Sequence, residues 1–240
     1  SKPTAAARVA AFMGRSGRQA ACPVQWAGYL NTGRLPAAPV VQQGAAGTAL
    51  FDRAYYQRFY HDPGTAVTSR AEMRARAELI AAAVRHVGLP VRRVLDAGCG
   101  VGLMRAPLLR RLPGARYVGL ETSEYLCKRY GWQRGELQTL TAREKYELVI
   151  CYDVLQYLDR ETARRALGRL AAVCCGVLYF SALTSGDWRS NCDQSRTDYL
   201  PGLRSATWYR RELARGFEPL GCGLWLRRGA PVTLWDLERP

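Results

Sequence analysis

The sequence predicts an α/β fold, a doubly wound and mostly parallel sheet with helices on both faces. Three observations predict it. Strand-like and helical segments alternate between residues 91 and 181, and alternation at that pitch gives parallel strands joined by crossover helices. A glycine-rich turn, Gly98-Cys99-Gly100-Val101-Gly102, links the first strand to its helix, where an open sheet binds its ligands. Two apolar runs near the C-terminus are spaced for an antiparallel pair.

The elements follow in order. Ala66, Met73, Ala77, Leu79, Ile80 and Val84 recur at helical spacing, predicting a helix over residues 65–87 that stops at Gly88-Leu89-Pro90. Residues 91–96 form a buried-strand run, and residues 103–112 a helix closed by Pro113-Gly114. The next strand covers residues 116–121, followed by a short helix over 123–130. A third strand is expected at 136–140, a fourth at 146–152, a helix at 161–172 and a fifth strand at 174–181. Residues 207–216 read as a helix. Residues 220–227 and 232–237 read as two strands joined by Arg228-Gly229-Ala230-Pro231. Five parallel strands and a terminal hairpin result.

Composition narrows the function. With 48% hydrophobic residues and six Trp the chain is not wholly disordered. No run approaches the ~18 uncharged apolar residues of a membrane span; a cytoplasmic protein is expected. The net charge is +15, but of 35 basic residues only Lys2, Lys128 and Lys145 are lysine, leaving 32 scattered arginines. A nucleic-acid surface concentrates its charge and interleaves aromatics, so a solvated face is the favoured reading and a nucleic-acid partner the less favoured one. Eight cysteines form no CxxC pair and only His61 and His86 could complete a set, so no metal is expected. Residues 1–50 contain no Asp or Glu and read as a loose basic arm; residues 51–240 read as the domain.

Ligand chemistry comes from the strand ends. Asp96 closes the first strand, three glycines follow, and Glu121 closes the second. An acid at the second position accepts hydrogen bonds from a ribose. The dinucleotide fingerprint would need a third glycine where Leu103 stands. Asp96 would also repel a pyrophosphate, whereas it suits a ligand bearing an ammonium group.

Val94-Leu95-Asp96-Ala97-Gly98-Cys99-Gly100-Val101-Gly102 resembles the first motif of the class I S-adenosylmethionine (SAM)-dependent methyltransferases, and Tyr117-Val118-Gly119-Leu120-Glu121-Thr122-Ser123 the second. Arg134-Gly135-Glu136-Leu137 is similar to the segment that contacts adenine, and residues 146–158 to the fourth-strand motif of the small-molecule branch. The resemblance implies a Rossmann-like, seven-stranded sheet whose last strand is antiparallel. It implies SAM as cofactor, held by Asp96, Gly98, Cys99, Gly100, Gly102, Glu121, Thr122, Glu136, Leu137, Tyr152 and Asp153. Tyr157 stands where that branch often has His, so no catalytic role is assigned to it.

The methyl of a sulfonium is already activated, so positioning supplies most of the catalysis, up to an effective molarity of ~10⁵–10⁸ M. A base would add ~10²–10⁴-fold for a protonated acceptor; the candidates are His61 and Asp153. Residues 51–90 are expected to form a helical lid and the first helix, with Tyr56 and Tyr60 over the cleft. The polar loop at 183–204, with Asp187 and Trp188, is expected to meet the substrate. The reading is methyl transfer to a small-molecule acceptor. An RNA or protein methyltransferase, or a SAM-binding domain without transfer, is the alternative.

Overall fold

In the computed structural model, residues 51–194, 197 and 202–238 are described; the expected N-terminal arm and part of the expected substrate loop lie outside them. Seven strands form one sheet in the order β3-β2-β1-β4-β5-β7-β6. They are β1 (Arg93–Ala97), β2 (Arg116–Glu121), β3 (Gln133–Arg134), β4 (Tyr146–Tyr152), β5 (Cys174–Ser181), β6 (Phe217–Gly221) and β7 (Leu224–Arg227). Strands β3 through β5 pair in parallel, and β7 is antiparallel to both β5 and β6. The winding reverses between β1 and β4, so their carboxyl ends open a crevice.

Side-chain alternation explains why both faces of the sheet are covered. Leu95, Val149, Cys151, Leu178 and Phe180 face one core, which helices α5 (Arg160–Val173) and α7 (Ala206–Leu213) close with Leu167, Leu170, Trp208 and Leu213. Val94, Leu148, Ile150, Val177 and Tyr179 face the other, against α2 (Arg70–His86) and α3 (Arg105–Arg111). Strands buried on both faces read as continuous apolar runs, which is why their limits are legible. Helix α2 begins at a capping box in which Ser69 and Glu72 bond each other's backbone amides. Two shorter helices, α1 (Arg53–Tyr56) and α4 (Glu124–Tyr130), and α6 (Ser185–Ser190) flank the crevice side.

Two expectations are corrected. The third strand lies at Gln133–Arg134, and Leu137–Thr139 is a 3₁₀ turn. Leu137 and Leu140 are both buried at a spacing of three, the period of a turn rather than the alternation of a strand. The terminal hairpin also sits earlier than expected. Gly221, Cys222 and Gly223 all have positive φ (89°, 50° and 80°), and this left-handed run reverses the chain between β6 and β7. Residues 232–235 are not a strand: Leu234 packs under the sheet, while Trp235 and Leu237 are exposed.

Candidate functional site

The crevice is built on a turn that only glycine can make closely. Gly98 has φ +82°, and a Cβ there would lie 2.3 Å from the Val154 side chain. Gly100 has φ +52° and open space where a Cβ would stand, so a ligand can approach the chain closely there. The turn is locked from behind: the Trp132 indole donates to the Gly100 carbonyl at 2.9 Å, and Gly102 abuts the same ring.

Two acids flank this turn. Glu121 is buried, and its carboxylate accepts from the amides of Gly100 (2.9 Å), Thr122 (2.8 Å) and Ser123 (3.0 Å). Such bonds fix the carboxylate beside the glycine backbone. Asp96, at the end of β1, accepts from the Tyr117 hydroxyl. Burial, reinforced by the charge of Glu121, raises its carboxyl to about 7, although Tyr117 opposes the shift. Asp96 thus spends part of its time protonated near neutrality, and a cationic ligand would draw it back to the ionised form.

Two connected clefts lie beside the turn and share Tyr55, Tyr60, Gly98, Gly100, Tyr152, Asp153 and Tyr157. The smaller, about 130 Å³, is completed by Glu121, Thr122, Gly135, Leu137 and Gln138. Its acid beside a hydrophobic slot matches the needs of a ribose and its base. The larger, about 220 Å³, is completed chiefly by Asp96, Cys99, Val101, Met73, Met104 and Gln156. It offers a carboxyl near an apolar space. A molecule with a nucleoside at one end and an ammonium at the other fits this pair of clefts, so the residues present suit SAM.

Residues 51–61 cover the nucleoside side. Asp52 caps α1, which runs into a π-turn over Gln57–His61. Phe51, Tyr55 and Tyr157 meet edge-on, with ring centroids 5.2 and 5.4 Å apart from Phe51, geometry that favours aromatic contact. Ser123 Oγ anchors the segment by donating to the Phe51 carbonyl at 2.6 Å. Burial pushes the phenols of Tyr56 and Tyr152 well above their ordinary range, so both act here as neutral hydroxyls.

Asp153 follows β4 with φ +55°. That conformation is uncommon for a residue with a side chain, and strain of this kind concentrates at functional sites. Its amide donates to the Ser181 carbonyl at 2.9 Å, tying the ends of β4 and β5, while the Tyr152 hydroxyl bonds its carboxylate.

Among the expected site residues, Asp96, Gly98, Cys99, Gly100, Glu121, Thr122, Leu137, Tyr152, Asp153, Tyr56 and Tyr60 line the clefts. Others do not. Glu136 is exposed and holds Gln138 at 2.7 Å. Asp187 sits in a capping box with Thr184 and accepts from Asn191; Trp188 is on the same short helix, outside the lining. His61 is exposed at the end of the π-turn and lines neither cleft. Sequence reasoning did not single out Gln156, Cys192 and Thr197, which two separate segments bring to the larger cleft, or Trp132, whose latch role has no signature in spacing.

Residues 95–175 match the family model described as a methyltransferase domain. The chain is 28% identical over 135 residues to trans-aconitate 2-methyltransferase of Pseudomonas paraeruginosa, covering 52% of this chain and 42% of that protein. To the Pseudomonas aeruginosa protein of the same name it is 26% identical, covering 61% and 49%. It therefore spans under half the length of these relatives. Magnesium protoporphyrin IX methyltransferase from Synechocystis, crystallised with S-adenosylhomocysteine (SAH), superposes with TM-score 0.52 at 22% identity, covering 75% of this chain and 97% of that one. Streptomyces venezuelae DesVI gives 0.53 at 17%, covering 73% and 98%. These structures establish the fold.

Proposed function

We propose that this chain, which carries over residues 95–175 a domain of the class I SAM-dependent methyltransferase family, transfers a methyl group from SAM to a small-molecule acceptor. One observation carries the reading: two buried acids on neighbouring strand ends, Asp96 and Glu121, flank a glycine turn with open space beside Gly100. The names of the curated relatives and of the Synechocystis neighbour support methyl transfer to small molecules.

When bound, SAM supplies a methyl on a positive sulfur, open to in-line displacement. The chain's own residues place it. Glu121 would accept the ribose hydroxyls, with Leu137 and Thr122 completing that wall. Asp96 would hold the ammonium, and the Gly98–Gly100 turn would line the space between. The aromatic cover of Phe51, Tyr55 and Tyr157 would exclude water, and Tyr55 and Tyr157, which line both clefts, would help hold the acceptor near the methyl. Asp153 stands at the junction of the two clefts, where a carboxylate can receive a proton from the acceptor. His61 has no part in this scheme.

No helix among the described residues is long and apolar enough to cross a membrane, and their seven cysteines are free thiols; both features suit a cytoplasmic setting. Titration calorimetry with SAM, SAH and NAD tests the proposal. Heat with the first two and none with NAD is expected. Silence with both SAM and SAH would overturn it.

A further inference from the structure

Gln156 follows β4 in the 3₁₀ turn Leu155–Tyr157. It lines the larger cleft, is only 3% exposed, and its Oε1 is buried without a hydrogen-bond partner. A buried amide oxygen left unpaired is costly, and native interiors rarely tolerate one without a reason.

The backbone that carries this side chain is fixed, because Arg204 pins the turn. Arg204 is buried and donates through Nη1 to the Leu155 carbonyl (2.9 Å) and the Tyr209 hydroxyl (3.1 Å), and through Nη2 to the Leu158 carbonyl. Its guanidinium also lies 5.2 Å from the Trp208 ring centroid. The carbonyls on either side of Gln156 and Tyr157 are therefore clamped. Gly202 closes the same place: a Cβ there would come within 2.4 Å of the Leu158 carbonyl. The result is an unsatisfied hydrogen-bond acceptor held rigidly in the wall of a ligand cleft.

The charges in that wall have one sign. Among the described residues, the larger cleft is lined by Asp96 and Asp153 and the smaller by Glu121 and Asp153, with no Lys, Arg or His in either lining. Arg76 lies close by but is engaged: its guanidinium sits 4.7 Å over the Tyr152 ring and bonds the Tyr179 hydroxyl. A carboxylate ligand is ordinarily met by a cationic fork. Here it would meet carboxylates and an amide oxygen. The rest of the described wall carries the hydroxyls of Thr68 and Thr197 and is otherwise mostly apolar or aromatic, with Met73, Leu103, Met104 and Leu183 beside four tyrosines.

Resting on the methyltransferase reading above, we infer that the acceptor is an uncharged or cationic molecule with an apolar body and an O–H or N–H group, a phenol or an amine, which donates to Gln156 Oε1. It is not a polycarboxylate like the one in the name of the curated relatives. In the transfer, a lone pair on the acceptor oxygen or nitrogen, for an ammonium one freed by prior loss of a proton to Asp153 or water, forms a bond to the methyl carbon. The carbon–sulfur bond breaks with its electron pair passing to sulfur, and the acceptor proton leaves to Asp153 or water. Gln156 is a specificity residue: it touches the acceptor and does not enter this exchange.

Calorimetry on the full chain tests the inference, with the probes tyramine, p-cresol, 4-methylanisole (p-cresol with its O–H blocked) and trans-aconitate, each titrated with and without saturating SAH. Tyramine and p-cresol should bind, and 4-methylanisole should bind about tenfold more weakly than p-cresol. Trans-aconitate should not bind. Gln156→Leu should weaken tyramine about tenfold while keeping the parent's cooperative thermal unfolding, which shows that the variant is folded. Gln156→Glu, which keeps an acceptor oxygen, should retain tyramine. The inference is overturned by tighter binding of trans-aconitate than of tyramine, by no binding of either donor probe, or by an unchanged tyramine affinity in Gln156→Leu. Absence of SAH heat would instead sink the methyltransferase reading, and the titrations without SAH would still decide the acceptor class.

Discussion

The two sides of the crevice are made from different materials. The donor side, at the ends of β1 and β2, is mostly backbone: a glycine turn with left-handed φ and amides that bind Glu121. The larger cleft, proposed above to meet the acceptor, is mostly side chains drawn from segments near residues 55, 73, 104, 156 and 192. A backbone site needs particular residues at consecutive positions, because only glycine tolerates such φ and such close approach. A side-chain site needs only that distant residues arrive together. The first is therefore constrained within a short stretch, while the second can vary with the molecule to be bound.

Variants should separate the two sides. The largest effect is expected for Glu121→Ala, which removes the carboxylate that would receive the ribose and frees three amides. At roughly 1.5–3 kcal/mol for each charge-assisted bond to the ligand, SAH affinity measured by calorimetry should fall about 100-fold or more. Tyramine binding without SAH should be spared.

Next is pH. The Asp96 carboxyl sits at about 7 because it is buried, and its ionised form attracts the ammonium of SAH. Affinity should rise with pH through that value, by roughly eightfold between pH 6 and 7.5, and Asp96→Asn should abolish the slope. Stability of the ligand-free protein runs the other way. The ordinary value is 3.8, so the folded state binds a proton more readily than the unfolded one and loses stability as pH rises from about 4 to 7. Asp96→Asn should thus melt higher than the parent at pH 8 while binding SAH less well.

Gly100→Ala should weaken SAH about tenfold, since a methyl would occupy the open space against which the ligand lies and φ +52° would be strained. Arg204→Lys addresses the acceptor side. Lysine cannot bond two carbonyls and a hydroxyl in one plane, so thermal unfolding should show a loss of about 1–3 kcal/mol. Tyramine should weaken with SAH affinity within about twofold. The smallest effect is expected for His61→Ala. The residue is exposed and outside both clefts, and SAH affinity and methyl transfer should stay within about twofold; a larger loss would bring the lid into the chemistry.

The contrast also explains what could be read in advance. Strands β4 and β5 were legible to the residue because burial on both faces leaves nearly continuous apolar runs, and β2 because Pro113-Gly114 and Glu121-Thr122-Ser123 bracket it. The terminal hairpin was misplaced because two turns compete there: Arg228-Gly229-Ala230-Pro231 has the better composition, but Gly221-Cys222-Gly223 lies between two segments that pair with each other, the second of which also pairs with β5. His61 drew attention as a titratable group in an aromatic stretch, yet the π-turn puts it outward while Tyr55 and Tyr60 of the same stretch line the clefts. Asp187 looked like a pocket residue in a polar loop and proved to be the third residue of its own capping box.

From its residues alone, this chain dictates a parallel sheet, the glycine turn and the two acids at β1 and β2, since each depends on neighbours in sequence and on the conformations they allow. Tertiary structure alone decided the wall of the larger cleft and the latch behind the glycine turn. Arg204 clamps a turn almost fifty residues earlier in the chain, and Trp132, just before β3, latches Gly100. Such contacts follow from how elements pack, and no local preference of either partner announces them.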